Sequence, residues 1–134
     1  MKTRSWTLPP LQVGEWFEYV LPWPPRSGNH RNGMKGGRFF PVKEMVQWSK
    51  AVAAAILAAN GKLLAGRLTV EARVFAPDAR KRDIDNIVKV IGDALKREGA
   101  IDDDGDIDDV HFRRFPKCKE WPRVEIFIGI IENG

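Results

Sequence analysis

Alternation of apolar and polar residues predicts four strands along the chain. In residues 67–76 an apolar residue occupies every second position, so one face of a strand is apolar and the other polar. The apolar positions are Leu68, Val70, Ala72 and Val74. Residues 16–21, 110–115 and 124–131 also read as strands. Since only a proline-bounded segment at 116–122 separates the last two, we expect them to form a hairpin with a long turn.

Two other segments have the composition or the spacing of helices. Residues 42–59 combine high helix propensity with apolar residues available for burial, and Asn60-Gly61 is a typical helix end. Those apolar residues are Val46, Ala53, Ile56 and Leu57. A second helix is predicted over 86–97, closed by Gly99, with a core-facing stripe at a spacing of four, three and four. The stripe consists of Ile84, Val88, Ile91 and Leu95.

The element order β-α-β-α-β-β predicts an α/β (α+β) fold, a mixed sheet with helices packed on it. With 134 residues, the chain is expected to form one domain over 16–134, preceded by a lead-in at 1–15. The one cysteine, Cys118, excludes an internal disulfide, and the apolar runs are too short for a signal peptide or a membrane span. We therefore expect a soluble, cytoplasmic protein.

Charge is distributed unevenly along the chain. The formal net charge is +4, yet residues 102–109 hold six of the 18 acidic residues, which leaves 12 acidic against 22 basic residues elsewhere. A basic protein with one acidic cluster is suited to binding a polyanion through metal ions held in that cluster. An acidic surface loop is the simpler explanation. The glycine-rich loop at 26–40 adds cations suited to a phosphate backbone, unless it is only a disordered surface loop. The basic residues of this loop are Arg26, His30, Arg31, Lys35 and Arg38.

The segment RKRDIDNIVK at 80–89 carries the first candidate chemistry. Asp83 and Asp85 are two residues apart, so their side chains share one side only if this segment is extended and precedes the helix. Asp85 is then the predicted N-cap, with Lys89 one turn further along. Capping alone would explain Asp85, but it would not explain Asp83 or the basic triplet at 80–82.

The acidic segment DDDGDIDD at 102–109 is the second candidate. A calcium-binding EF-hand is excluded, because Ala100 and His111 fall where that loop requires acids. The segment meets Asp83 only if the strand at 110–115 lies beside that at 67–76, or through another subunit. Together, three or four aspartates would bind Mg²⁺, in a two-metal site if two ions are held. Neither His30 nor His111 is the expected general base.

These motifs resemble the RusA family of Holliday junction resolvases. The matching features are LPWPP at 21–25, RKRDIDNIVKVIGDAL at 80–95, and Gly99 followed by DDGDI at 103–107. The resemblance implies a RusA-like fold and a homodimeric, Mg²⁺-dependent endodeoxyribonuclease of bacteria, phages or prophages, with Mn²⁺ as a substitute. Its partner would be the four-way junction of recombination and repair, cut symmetrically in two strands.

The resemblance also assigns roles to residues. It implies that Asp83, Asp85 and Asp104 bind metal and are catalytic, assisted by Lys89. Asp103 remains a rival ligand, because the extra Asp102 allows a shift of one residue. The residues expected to contact DNA are Arg80, Lys81, Arg82, Arg26, Arg31, Lys35 and Arg38. Two alternatives stay open: a non-catalytic protein that binds branched DNA, and a nuclease with broader substrates such as flaps.

Overall fold

The computed structural model describes residues 10–25, 32–35, 38–41, 43–59 and 61–132. The strands are β1 (Val13–Pro22), β2 (Asn32–Lys35), β3 (Arg38–Pro41), β4 (Leu68–Phe75), β5 (Ile107–Arg114) and β6 (Arg123–Ile131). The helices are α1 (Lys43–Ala59) and α2 (Ile84–Arg97), with a single 3₁₀ turn at Asp104–Asp106. The predicted order is confirmed, and β2 and β3 add an antiparallel hairpin inside the segment that was predicted to be a loop.

Four strands form a mixed sheet in the order β1-β6-β4-β5. β6 pairs antiparallel with both β1 and β4, and β5 pairs parallel with β4. The predicted β5–β6 hairpin is therefore wrong, because β4 lies between these two strands. The apolar run of β6 explains its central place: Val124, Ile126 and Ile128 are completely buried, and a central strand covers such residues better than an edge strand.

Helix α1 packs on β1 through a face that contains Ile56, as predicted, but not Val46 or Leu57. Its buried residues are Met45, Trp48, Val52 and Ile56, whereas Val46 and Leu57 are 40% and 73% exposed. The indole N–H of Trp48 donates a hydrogen bond to the Pro22 carbonyl oxygen at 2.7 Å. This bond joins the buried face of the helix to the end of β1.

Helix α2 begins two residues earlier than predicted. Asp83, not Asp85, is its N-cap, with extended backbone angles. The predicted stripe is half correct, since Ile91 and Leu95 are buried while Ile84 and Val88 are only partly covered. After the helix, Gly99 has a φ of +81°, which a residue with a side chain rarely adopts, and this confirms the predicted stop.

The core lies between the helices and one face of the sheet. On β4 it contains the four predicted residues, Leu68, Val70, Ala72 and Val74. On the opposite face, which we call the open face, β4 presents Thr69, Glu71, Arg73 and Phe75, and within the described ranges no helix covers it. Among the described residues no helix is long and apolar enough to cross a membrane.

Candidate active site

The segment between β4 and α2 is shaped by one carboxylate. Asp78 accepts a hydrogen bond from the Arg80 backbone N–H at 3.0 Å and forms an ion pair with the Arg82 guanidinium at 2.8 Å. The Arg80 N–H, followed by Arg82, lowers the pKa of Asp78 below its ordinary value, so Asp78 stays ionised at neutral pH. The turn that delivers the chain to Asp83 is thus held by these contacts.

Asp83 and Asp85 both lie at the N-terminal end of α2. Asp83 Oδ1 accepts a hydrogen bond from the Asp85 backbone N–H at 3.0 Å, while Asp85 lies in the first helical turn. Both carboxylates are exposed, and they lie at the end of the helix where the dipole attracts negatively charged groups. A carboxylate has two oxygens, so the cap leaves one Asp83 oxygen for another ligand. Exposed, hard oxygen donors of this kind fit a divalent cation such as Mg²⁺.

Lys89 lies on the same helix face as Asp85, because four residues make about one turn. Its side chain is exposed. The start of α2 therefore carries two carboxylates and one ammonium group. The prediction that Asp83 and Asp85 share one side required both residues to precede the helix, and this condition is not met, because Asp85 lies in the first helical turn.

The aspartates of the acidic segment 102–109 have different structural roles. Asp103 Oδ1 accepts the Gly105 backbone N–H at 3.0 Å and lies 3.8 Å from the Lys96 Nζ atom. Asp104 begins the 3₁₀ turn, and its side chain lies outside the described part of the structure.

Further along, Asp108 and Asp109 belong to β5 rather than to the predicted acidic loop. Asp108 pairs with Arg67, and Asp109 accepts a hydrogen bond from the buried Thr69 hydroxyl at 3.2 Å. His111 Nε2 is 3.0 Å from Asp109 Oδ2 on the open face. A cavity of about 500 Å³ next to these groups is lined by residues from the beginnings of β4 and β5. This end of the sheet is remote from the start of α2, which follows the end of β4.

Within one chain, the two acidic clusters lie at opposite ends of α2. Asp83 caps its first turn, whereas Asp103 contacts Lys96 in its last turn. A helix of 14 residues spans roughly 20 Å. The expected pairing of β5 with β4 is present, but the two strands are parallel, so β5 begins at the end remote from Asp83. Among the described side chains, no group of three or more His, Cys, Asp or Glu residues is placed to hold a metal ion.

Basic and aromatic residues surround the Asp83 end of α2. Two cavities of about 350 Å³ flank the segment 80–82, and Trp23, Arg80 and Arg82 line both of them. Lys81 and Asp83 line one of these cavities, on the side of Pro24 and Pro25. The predicted cations at 80–82 are thus next to the candidate carboxylates.

The residues of this region that were not predicted as site residues include Trp23, Arg114 and Lys117. The Arg114 guanidinium donates to the Arg82 carbonyl oxygen, which ties the end of β5 to the site. LPWPP at 21–25 is a sequence signal for Trp23, whereas Arg114 reaches the site only through the parallel pairing of β5. Of the loop cations, Arg26 and Arg31 lie outside the described residues, as do the side chains of Lys35 and Arg38.

The chain is similar to known proteins over most of its length. The model of the family described as "Endodeoxyribonuclease RusA" matches residues 22–129. The chain is 28% identical to the crossover junction endodeoxyribonuclease RusA of Aquifex aeolicus (strain VF5), over 81% of this chain and 87% of that protein. It is 28% identical to the protein of that name from Enterobacteria phage HK97, over 73% and 82%. The identity to the Escherichia coli (strain K12) protein of that name is 32%, over 87% and 97%.

Proposed function

The chain belongs to the RusA family, and from this premise we propose that it is an endodeoxyribonuclease that resolves four-way DNA junctions by hydrolysing phosphodiester bonds during recombination and repair. The observation that carries the proposal is the start of α2, where Asp83, Asp85 and Lys89 lie beside the basic segment 80–82. Carboxylates alone would repel DNA, whereas this arrangement surrounds them with cations that bind phosphates. Acting on genomic DNA, the enzyme would work in the cytoplasm.

We propose that Asp83 and Asp85 hold Mg²⁺, which Mn²⁺ can replace. When bound there, the ion would supply an activated water and offset negative charge on the phosphodiester. Lys89 would stabilise the charge that develops on the phosphate oxygens, since its ammonium group is on the same helix face as Asp85. Arg80 and Lys81 would hold neighbouring phosphates and so fix the position of the strand.

The complete site would be shared between two copies of the chain. Asp103 and the 3₁₀ turn that begins at Asp104 lie at the opposite end of α2 from Asp83, a helix length of roughly 20 Å away. A two-fold axis across the middle of α2 would bring the end of one helix to the start of its partner. It would also create two equivalent sites, as paired cutting of two strands requires.

The surface of α2 supports this arrangement. Ile84, Val88 and Gly92 are spaced by four residues and are only partly covered by their own chain. A Cβ atom added at Gly92 would meet no atom within 4 Å. This row would allow a second α2 helix to pack closely and antiparallel against the first.

Cleavage of a synthetic four-way junction tests the proposed activity. We expect Mg²⁺-dependent paired cuts by the wild-type chain, and loss of cleavage in Asp85→Asn with binding retained in Ca²⁺. Salt-sensitive binding without cleavage in Mg²⁺ or Mn²⁺ would instead favour a non-catalytic DNA-binding protein. Equal rates on flaps and junctions would favour a broader nuclease.

A further inference from the structure

An alternating cluster of arginine and aromatic side chains extends from the candidate active site along one end of the sheet. The Arg123 guanidinium is 3.9 Å from the centre of the Phe75 ring and 4.1 Å from that of Trp121. Phe75 in turn lies 5.1 Å from Phe115, centre to centre. Phe115 lines the cavity that also contains Arg82, the neighbour of Asp83. The cluster is thus continuous with the site, yet the proposed chemistry does not use it.

Trp121 is the accessible end of this cluster and is held in place on one side. Arg123 is mostly buried, is bound to Glu125 at 2.9 Å, and donates to the Trp121 carbonyl oxygen at 3.0 Å. The guanidinium therefore covers one face of a ring that is 56% exposed overall. An aromatic ring fixed on one face and open elsewhere is prepared to stack with another flat group, and it loses little conformational freedom on binding.

Charge around the cluster favours an anionic ligand. Arg73 lies 4.9 Å from the centre of the Phe127 ring, with half of its side chain exposed. Arg113, Lys117 and Lys119 are also exposed at this end of the sheet. These cations outnumber the nearby carboxylates, which are the exposed Glu120 and the Glu125 that pairs with Arg73 and Arg123. Flat bases on a polyanionic backbone match both features, because aromatic rings stack with bases while cations follow the phosphates.

We infer that Trp121, backed by Arg123 and Phe75, stacks with an unpaired base of a DNA strand close to the branch point. The inference rests on the proposed function for the choice of DNA. It assigns to this surface the contact with a base that becomes unpaired at the branch point, which the carboxylates at the start of α2 do not recognise. Duplex DNA, whose bases are stacked internally, would gain little from this contact.

Anisotropy measurements in Ca²⁺ test the inference with three ligands: oligothymidylate of about 15 nucleotides, a duplex of equal length, and a four-way junction. In Trp121→Leu we expect the affinity for oligothymidylate and for the junction to fall by about fivefold or more, with the duplex unchanged. Trp121→Phe should retain most of the affinity, because it keeps an aromatic ring. The slope of log Kd against log salt should stay the same, since no phosphate contact is removed.

Trp16→Leu is the matched control, because Trp16 is 47% exposed on β1, away from the cluster. It should leave all three affinities unchanged. Any of three results would overturn the inference. The wild type does not bind oligothymidylate, Trp121→Leu binds it as well as the wild type does, or Trp16→Leu weakens the binding as much as Trp121→Leu does. Junction cleavage in Mg²⁺ is measured in parallel. If the wild type does not cleave junctions but its binding depends on Trp121, only the proposed nuclease activity is contradicted. If it cleaves junctions but its binding does not depend on Trp121, only the stacking site is contradicted.

Discussion

The carboxylate of Asp83 accepts the backbone N–H of Asp85 at 3.0 Å, so one proposed metal ligand caps the helix that carries the other. Local folding and chemistry thus depend on the same side chain. The two roles are separable, because an amide oxygen caps a helix about as well as a carboxylate does but is a poorer ligand for a hard cation.

We first predict that Asp83→Asn and Asp83→Ala differ in stability but agree in activity. Asp83→Ala should lower the free energy of unfolding by about 1 kcal/mol, and Asp83→Asn by a few tenths at most. Both should lose junction cleavage. Urea unfolding and cleavage assays check this. Cleavage at the wild-type rate by Asp83→Asn would show that the carboxylate acts only as a cap.

A second prediction concerns the sharing of the site between two subunits. Asp83→Asn and Asp104→Asn chains should each be inactive alone but recover cleavage when mixed and refolded together. In a mixed dimer one site would carry both substitutions and the other neither, so the product should be a nicked junction rather than a resolved one. A site built within one chain predicts no recovery in the mixture.

Local patterns predicted the elements well, whereas the relations between elements were harder to predict. The alternation in β4 specified its core face correctly, because a strand has a strict period of two. The face of α1 was predicted only in part, since Ile56 is buried but Val46 and Leu57 are exposed. The bond from Trp48 to Pro22 on the buried face joins residues that are distant in sequence, so a local pattern does not reveal it. The β5–β6 hairpin failed for a similar reason, since short connections favour neighbours but the apolar β6 takes a central position.

The sequence predicted which residues belong to the candidate site, but not which of them come together within one chain. Spacing and charge selected Asp83, Asp85 and Lys89, which the structure brings to one end of α2. Adjacency of β4 and β5 was predicted as a condition for joining the two acidic clusters within one chain; the strands are adjacent, but the parallel direction of β5 separates the clusters. This direction follows from the helix that connects the two strands, a relation between elements and not a pattern within 102–109.

A third prediction separates Asp103 from Asp104. Asp103 Oδ1 accepts the Gly105 N–H, and an asparagine oxygen can do the same. Asp103→Asn should therefore fold normally and cut junctions at a mildly reduced rate, whereas Asp104→Asn should be inactive. Cleavage rates over a Mg²⁺ titration distinguish the two variants. Equal, mild losses in both would remove Asp104 from the metal site.

Lys89 provides a fourth prediction. Lys89→Gln keeps a similar length and helix propensity but removes the positive charge, so stability should change little. The cleavage rate should fall by about a hundredfold or more if the charge stabilises the reacting phosphate. Junction affinity in Ca²⁺ should fall only slightly, and Lys89→Arg should restore part of the rate. A loss of affinity that matches the loss of rate would make Lys89 a binding residue only.

The last prediction tests the proposed dimer surface at Gly92. Within the chain a Cβ atom at this position meets no neighbouring atom within 4 Å, and leucine has a higher helix propensity than glycine, by roughly 0.8 kcal/mol. Gly92→Leu should therefore leave the fold intact while separating the two α2 helices in the dimer. Sedimentation should show a shift from dimer to monomer, together with loss of paired cleavage. Leu57→Ala, on the exposed side of α1, is the control and should remain dimeric. A dimeric and active Gly92→Leu variant would place the interface elsewhere.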